Sequence, residues 1–202
     1  MTPSPTKPEL VVGVGASAGG LRALEGFFQA MPCDSGCAFV VVQHLSPDFK
    51  SLMTDLLARH TRMRIHRVEE GMVLERDCVY LIPPRKLMTV KGGKLALTER
   101  EAARQLEFPI NVFLDSLAAD YGPQAVAIIL SGTGTDGTQG VRSVHEAGGL
   151  VVVQSLESAD FNGIVDPRAL AAALQAAMAP AGADGAYRAV LSEVRSAIPF
   201  AF

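Results

Sequence analysis

Three polar residues have types suited to nucleophilic chemistry, and each follows an apolar run typical of a buried strand. Ser17 lies in GASAGG after the run LVVGVG, His44 directly follows AFVVVQ, and Asp136 lies in LSGTGTDG after VAIIL. If these runs are parallel strands, the three side chains emerge at one edge of the sheet. A serine nucleophile, an imidazole base and an orienting carboxylate that meet in this way form a hydrolytic triad.

The loop around the serine adds donors for a developing negative charge. Its small residues allow a sharp turn from strand to helix, which exposes a hydroxyl near the helix N-terminus. The main-chain N–H groups of Ala18, Gly19 and Gly20 are then predicted to face an oxyanion. The sequence therefore predicts acyl chemistry at this edge.

Each residue alone also has a structural explanation. Ser17 is a favoured type for capping a helix, and an Asp-Gly pair such as the one at Asp136 is common in turns. Gly13, Gly15 and Ala18 match the loose dinucleotide pattern G-x-G-x-x-G/A, but His44 lies near the position where an acidic ribose ligand is expected. The conjunction of three residue types behind three strands favours the triad. His60, His66 and His145 are interpreted as structural.

The elements that must position these residues alternate along the chain. Strands are predicted at 10–15, 38–43, 125–130 and 150–154, and helices at 21–31, 47–60, 110–121, 140–147, 167–179 and 187–197. Continuous apolar strands between helices favour a doubly wound, mostly parallel α/β sheet, Rossmann-like and three-layered. Between residues 65 and 98, short runs at 78–82, 87–90 and 94–97 predict a small antiparallel β insertion.

Composition sets limits on function. The 202 residues are 49% hydrophobic and 19% charged, which is typical of one globular domain, and residues 1–9 are predicted to be a leader before a single domain at 10–202. A net charge of −3 gives no reason to expect nucleic-acid binding, and no apolar run is long enough for a membrane span. We therefore expect a cytoplasmic protein. Its three cysteines are interpreted as reduced structural thiols, with neither a metal site nor a cofactor expected.

The motifs GASAGG, QHLSPDF (residues 43–49) and LSGTGTDG resemble the catalytic domain of bacterial chemotaxis protein-glutamate methylesterases, the CheB type. The resemblance covers about residues 10–173. It implies that Ser17, His44 and Asp136 are the catalytic residues and that glutamate methyl esters are hydrolysed with release of methanol. It further implies a methylated cytoplasmic helical region of a chemoreceptor-like protein as the partner, and deamidation of receptor glutamine as a related activity. A catalytically weak module that binds a receptor or signalling partner is the alternative.

Two departures from the family pattern lie beside the predicted triad. Ala18 stands where many chemotaxis enzymes have Thr, and Thr133, in the aspartate loop, stands where they have Met. With these two residues the motifs resemble the esterase modules of hybrid proteins that also contain methyltransferase and sensor modules. The resemblance implies those modules as partners. Residues 163–167 read GIVDP where the family has a Gly-Met-Pro element. The receiver domain usual in the family is not in this chain, so phosphorylation control is not expected from it.

Overall fold

A six-stranded parallel sheet is the centre of the fold. The computed structural model describes residues 6–16, 20–43, 53–100, 108–130 and 135–153. Eight strands occur in these ranges: β1 (Val11–Ala16), β2 (Ala38–Gln43), β3 (Arg64–Arg67), β4 (Cys78–Leu81), β5 (Lys86–Lys91), β6 (Lys94–Glu99), β7 (Ala125–Leu130) and β8 (Leu150–Val153). The main sheet has the order β3-β4-β2-β1-β7-β8, and its neighbouring strands are all parallel. β5 and β6 form a separate antiparallel hairpin.

Helices cover both faces of this sheet. The described α-helices are α1 (Leu21–Ala30), α2 (Met53–Leu57), α3 (Pro109–Tyr121) and α4 (Thr138–Glu146), and a short 3₁₀ helix covers Gly122–Gln124. α1 and α2 bury Leu24, Phe27 and Leu57 against one face. α3, α4 and the β5–β6 hairpin pack on the other face in a second apolar cluster. Strands with both faces covered explain the continuous apolar runs in the sequence, and the three-layer prediction is confirmed.

The two glycines of β1 allow α3 to lie close to the sheet. A Cβ atom on Gly13 would lie 2.7 Å from Leu114 Cδ2, and one on Gly15 would lie 2.8 Å from Ile110 Cγ2. Both glycines lie inside the strand rather than in the turn after it, where a dinucleotide fingerprint places them. Close helix packing therefore accounts for them, and the dinucleotide pattern is coincidental.

The predicted antiparallel insertion included a strand that belongs to the main sheet. β4 belongs to the main parallel sheet, where Ala38 pairs with Cys78, and β3 extends the sheet at its edge. Only the β5–β6 hairpin is antiparallel, with the expected turn at Gly92 and Gly93, whose φ angles are 58° and 71°. β4 is fully buried, as a central parallel strand should be, but the Pro83-Pro84 pair after it suggested a separate unit. β3 reads RIHR and carries no apolar run to predict it.

The other predicted elements agree with the structure where it describes them. α3 and α4 begin one and two residues earlier than predicted, and β7 has the predicted bounds. Of the helix predicted at 47–60, residues 53–57 are helical and residues 47–52 lie outside the described residues. The helices predicted at 167–179 and 187–197, and the GIVDP segment, also lie outside them.

Candidate active site

Three strands end side by side at the carboxyl edge of the sheet. In register, Ala16 at the end of β1 pairs with Gln43 of β2 on one side and with Leu130 of β7 on the other. The chain runs from β1 to β2 in one direction and later adds β7 on the opposite side of β1. Ligands of open α/β sheets bind at such a reversal of strand order, beyond the carboxyl ends of the strands.

Most of the predicted site residues lie outside the described residues. These are Ser17, Ala18, Gly19, His44 and Thr133. Ser17 and His44 directly follow Ala16 and Gln43, which are register partners on neighbouring strands. Gly20 is described and is the N-cap residue of α1, with its carbonyl accepting from Leu24 N–H at 2.9 Å. The alternative explanation of Ser17 as a helix cap falls on a residue outside the described ranges.

Asp136 is described, and its carboxylate is fixed by the start of α3. Oδ2 accepts the main-chain N–H of Ile110 at 3.0 Å, and Oδ1 accepts that of Asn111 at 3.0 Å. These donors belong to the first turn of a helix, where N–H groups have no partner within the helix and the helix dipole favours a negative charge. Each carboxylate oxygen has a second lone pair, so two donors do not use up its capacity to accept. The carboxylate is therefore held in one orientation at the carboxyl edge.

Asn111 of α3 in turn accepts hydrogen bonds from the residues that follow Asp136. Its Oδ1 accepts the N–H of Gly137 at 3.0 Å and that of Gly140 at 2.8 Å, both at the start of α4. Asp136 therefore caps α3, while Asn111 of α3 caps α4. We call these four hydrogen bonds the reciprocal caps. They fix the loop that carries Asp136 relative to both helices on this face of the sheet.

Gly137 gives the aspartate loop its shape. Its φ of 101° lies in the left-handed region, and a Cβ atom there would lie 3.0 Å from Ile129 Cδ1. A side chain at this position would be both strained and crowded. The Asp-Gly pair thus forms a tight turn, as its composition suggested, and that turn directs the aspartate toward α3.

Two of the three histidines interpreted as structural, His60 and His66, have local side-chain contacts. His60 Nε2 lies 4.0 Å from Glu25 Oε1 between α2 and α1, and the ring of His66 stacks on Tyr80 with centroids 5.4 Å apart. His145 lies in the last turn of α4. In the described ranges, no three or more His, Cys, Asp or Glu side chains are grouped as a metal would need. Nor does any helix there have the length and apolar character of a membrane span.

A cleft beside the carboxyl edge contains residues that the sequence analysis missed. Its described lining includes Gln43, Arg85 and Arg100, and it is a shallow cleft with about 10 Å³ of space, room for about one water molecule. Arg85 follows β4 at the same sheet edge as the predicted triad. Had β4 been assigned to the parallel sheet, the rule that found Ser17 would have selected Arg85 as well. The role of Asn111 had no comparable signal, because its partners are 26 and 29 residues away.

Comparison with known proteins shows the family and the fold of the chain. A family profile described as CheB methylesterase matches residues 12–186. The chain is similar to a protein-glutamate methylesterase/protein-glutamine glutaminase of Burkholderia orbicola, with 33% identity over 84% of this chain and 50% of the relative. A relative with the same name in Pseudomonas syringae is 31% identical over 87% of this chain and 52% of its own length. The chain thus spans about half the length of these curated relatives.

Two further similarities concern architecture. The Thermotoga maritima CheB methylesterase catalytic domain superposes with a TM-score of 0.71 at 24% identity, over 84% of this chain and 98% of that one. This shows that the fold is shared. An uncharacterised 104.1 kDa protein of Rhodobacter capsulatus is 48% identical over 55% of this chain, which corresponds to 12% of the larger protein.

Proposed function

This chain belongs to the CheB methylesterase family, and from that premise we propose that it is a serine hydrolase domain acting on glutamate methyl esters. The observation that carries the proposal is the Asp136 carboxylate, which two main-chain N–H groups fix at the sheet edge where β1 and β2 end in register. Ser17 and His44 are the residues that follow those two strand ends. A family match alone would not require the carboxylate to be oriented at that edge.

In the proposed mechanism, His44 removes the proton of the Ser17 hydroxyl as the serine attacks the ester carbonyl. Asp136 accepts a hydrogen bond from the imidazole, selects its tautomer and stabilises the imidazolium that forms. The main-chain N–H groups of Ala18, Gly19 and Gly20, with the loop containing Thr133, stabilise the tetrahedral oxyanion. Methanol leaves with a proton from the imidazolium, and water then releases the glutamate by the same steps.

The proposed substrate is the methylated cytoplasmic helical region of a chemoreceptor-like protein, so we infer that the domain works in the cytoplasm. The second activity in the names of the two relatives, protein-glutamine glutaminase, also supports glutamine deamidation, in which the same acyl-enzyme forms and ammonia leaves instead of methanol. The similarity to a small part of a 104.1 kDa protein supports association with other modules, such as the methyltransferase and sensor modules of hybrid proteins.

The test is release of methanol and ammonia from a methylated receptor fragment. Ser17→Ala is expected to lower turnover by a factor on the order of 10⁴ to 10⁶, because the nucleophile is lost. Ser143→Ala is the matched control, since within the described ranges this half-buried serine of α4 bonds to Asp115 and to its own helix. Wild-type turnover in Ser17→Ala would refute the mechanism. Binding of the fragment without any release of methanol or ammonia would favour the alternative, a binding module with an ineffective site.

A further inference from the structure

The described lining of the cleft beside the proposed triad is basic, although the chain as a whole is acidic. It lies between the end of β2 and the base of the β5–β6 hairpin, and its described lining includes Gln43, Arg85, Lys86, Arg100 and Pro109. None of the described lining residues carries a carboxylate, whereas the whole chain has a net charge of −3. A local excess of cations of this kind favours an anionic partner.

The cleft adjoins the proposed catalytic residues on two sides. Gln43 is joined by a peptide bond to His44. Pro109 immediately precedes Ile110, whose N–H donates to the Asp136 carboxylate at 3.0 Å. A polypeptide bound with its ester at the triad would therefore extend a neighbouring part of its surface over this cleft.

Arg85 is the cation best placed to meet such a segment. Its side chain is exposed, and none of the ion pairs in the described ranges uses it, whereas Lys86 is paired with Glu99. Its φ of 61° is in the left-handed region, which an arginine rarely adopts, and its carbonyl accepts Arg100 N–H at 3.0 Å to close the hairpin base. A strained residue kept at the rim of a binding cleft suggests a role for its side chain. The guanidinium fork matches a carboxylate in two parallel hydrogen bonds.

Gln43 supplies an independent sign that the cleft takes a ligand. Its Oε1 atom is buried, yet no hydrogen-bond donor reaches it within the described part of the chain. Buried amide oxygens are nearly always paired, so this orphan acceptor needs a donor, supplied by a bound water or by a ligand in the cleft. A polypeptide N–H or a side-chain amide fits that need, whereas a simple inorganic anion does not.

We infer that this cleft binds an acidic segment of the substrate polypeptide, with Arg85 pairing with a carboxylate near the ester and Gln43 accepting an N–H group. The inference rests on the proposed function and makes Arg85 a determinant of specificity. Unesterified glutamates beside the methyl ester are the chemical feature that it recognises.

Two helical peptides test the inference. Both carry one glutamate methyl ester; one has glutamates a helical turn away on each side, and the other has glutamines there. Arg85→Gln is expected to lower the ratio of kcat/KM for the glutamate peptide over the glutamine peptide by about two- to fivefold, mainly through KM, because an exposed charge-assisted pair is lost. Lys91→Gln removes the same charge from an exposed position near the opposite end of the hairpin and should leave both rates unchanged.

A second variant, Arg85→Gly, distinguishes loss of the guanidinium group from loss of stability. Glycine accepts the left-handed φ without strain, so this variant should unfold at or above the wild-type temperature while losing the same preference. In wild type the preference should also shrink in 0.5 M salt, where exposed charges are screened. An unchanged ratio in both Arg85 variants, or an equal fall in Lys91→Gln, would overturn the inference.

Binding separates this inference from the proposed function. Fluorescence anisotropy of both labelled peptides is measured with Ser17→Ala and with Ser17→Ala/Arg85→Gln. If wild type hydrolyses neither peptide but the glutamate peptide still binds more tightly only when Arg85 is present, the esterase proposal fails and the cleft assignment stands. If the two peptides bind equally well with Arg85 present, the cleft assignment fails regardless of turnover.

Discussion

Asp136 and Asp120 use their carboxylates in the same way but in different places. Asp136 accepts the N–H groups of Ile110 and Asn111, and Asp120 accepts those of Gly92 and Gly93 in the hairpin turn at 2.7 and 3.0 Å. Both therefore satisfy two main-chain donors, but only Asp136 lies at the carboxyl edge of the sheet. Comparing variants of Asp136 and Asp120 therefore distinguishes the structural role of a carboxylate from its catalytic role.

We expect Asp136→Asn to lose far more activity than stability. The asparagine oxygen keeps one main-chain donor, but its NH₂ group faces the other, so the free energy of unfolding should fall by about 1–2 kcal/mol. Ester hydrolysis should fall by a factor on the order of 10² to 10⁴, because the charge that stabilises the imidazolium is gone. Urea denaturation and a methanol-release assay measure the two effects.

Asp120→Asn is the control. It should lower the free energy of unfolding by no more than Asp136→Asn does, while ester hydrolysis stays at the wild-type rate. Equal activity of the two variants would remove Asp136 from the proposed triad.

At the scale of elements, α3 organises the site. Its first turn holds Asp136, its Asn111 caps α4, and Ser116 in its middle accepts Val90 N–H of the hairpin at 3.0 Å. Gly13 and Gly15 of β1 allow it to lie close enough to the sheet for these contacts. One helix thus links the catalytic edge to the hairpin at whose base the basic cleft lies.

Asn111→Ala should disturb both helix starts. The N–H groups of the buried Gly137 and Gly140 would lose their acceptor, and we expect the free energy of unfolding to fall by about 1–2 kcal/mol. Because the aspartate loop is no longer fixed to α3, turnover should fall about tenfold or more. Thermal denaturation and the methanol assay test this.

Asp115→Ala breaks the other α3–α4 hydrogen bond, an exposed one of 2.6 Å to Ser143, and should change stability by less than about 0.5 kcal/mol. If Asn111→Ala lowered the free energy of unfolding no more than this control, the reciprocal caps would not contribute to stability.

The hydrophobic pattern was sufficient to predict α3, α4 and the hairpin, whose buried faces repeat with the period of the element, and β7, which is a continuous apolar run. It failed for β3, an edge strand of four mostly polar residues, and it misplaced β4, whose sheet depends on partners 40 residues away in sequence. The candidate site follows the same division. Asp136 was predicted from its position after a strand, but the hydrogen bonds that orient it join residues 25 and 26 apart, and no local pattern encodes them.

For the molecule as a whole, buried acidic groups on the sheet predict sensitivity to alkali. Burial raises the pKa of the Cys37 thiol from its ordinary 9.0 to about 11, and burial also raises the pKa values of Cys78 and Tyr80. Tyr80 keeps its proton in a hydrogen bond of 3.0 Å to the Val73 carbonyl. Above pH 9 the unfolded chain releases these protons while the folded chain holds them, so the folded state loses stability as the pH rises.

The contribution of Cys37 should be fully present below pH 9 and lost as the pH approaches 11. By pH 10.5 it alone is expected to lower the free energy of unfolding by about 2 kcal/mol. Cys37→Ala should therefore flatten the decline in stability between pH 8 and 10.5 by that amount, measured by urea denaturation at each pH. Cys33→Ala, at an exposed position, should leave the slope as in wild type. Parallel pH profiles for all three proteins would contradict the assignment.

The reciprocal caps also couple the local unfolding of the two helix starts. Each helix start supplies the acceptor that the other needs, so fraying of either one strips partners from four amide groups at once. The two starts should then open as a single cooperative unit, with amide protons exchanging together. Hydrolysis would cease on warming when this unit melts, even if the parallel sheet beneath it survives to a higher temperature.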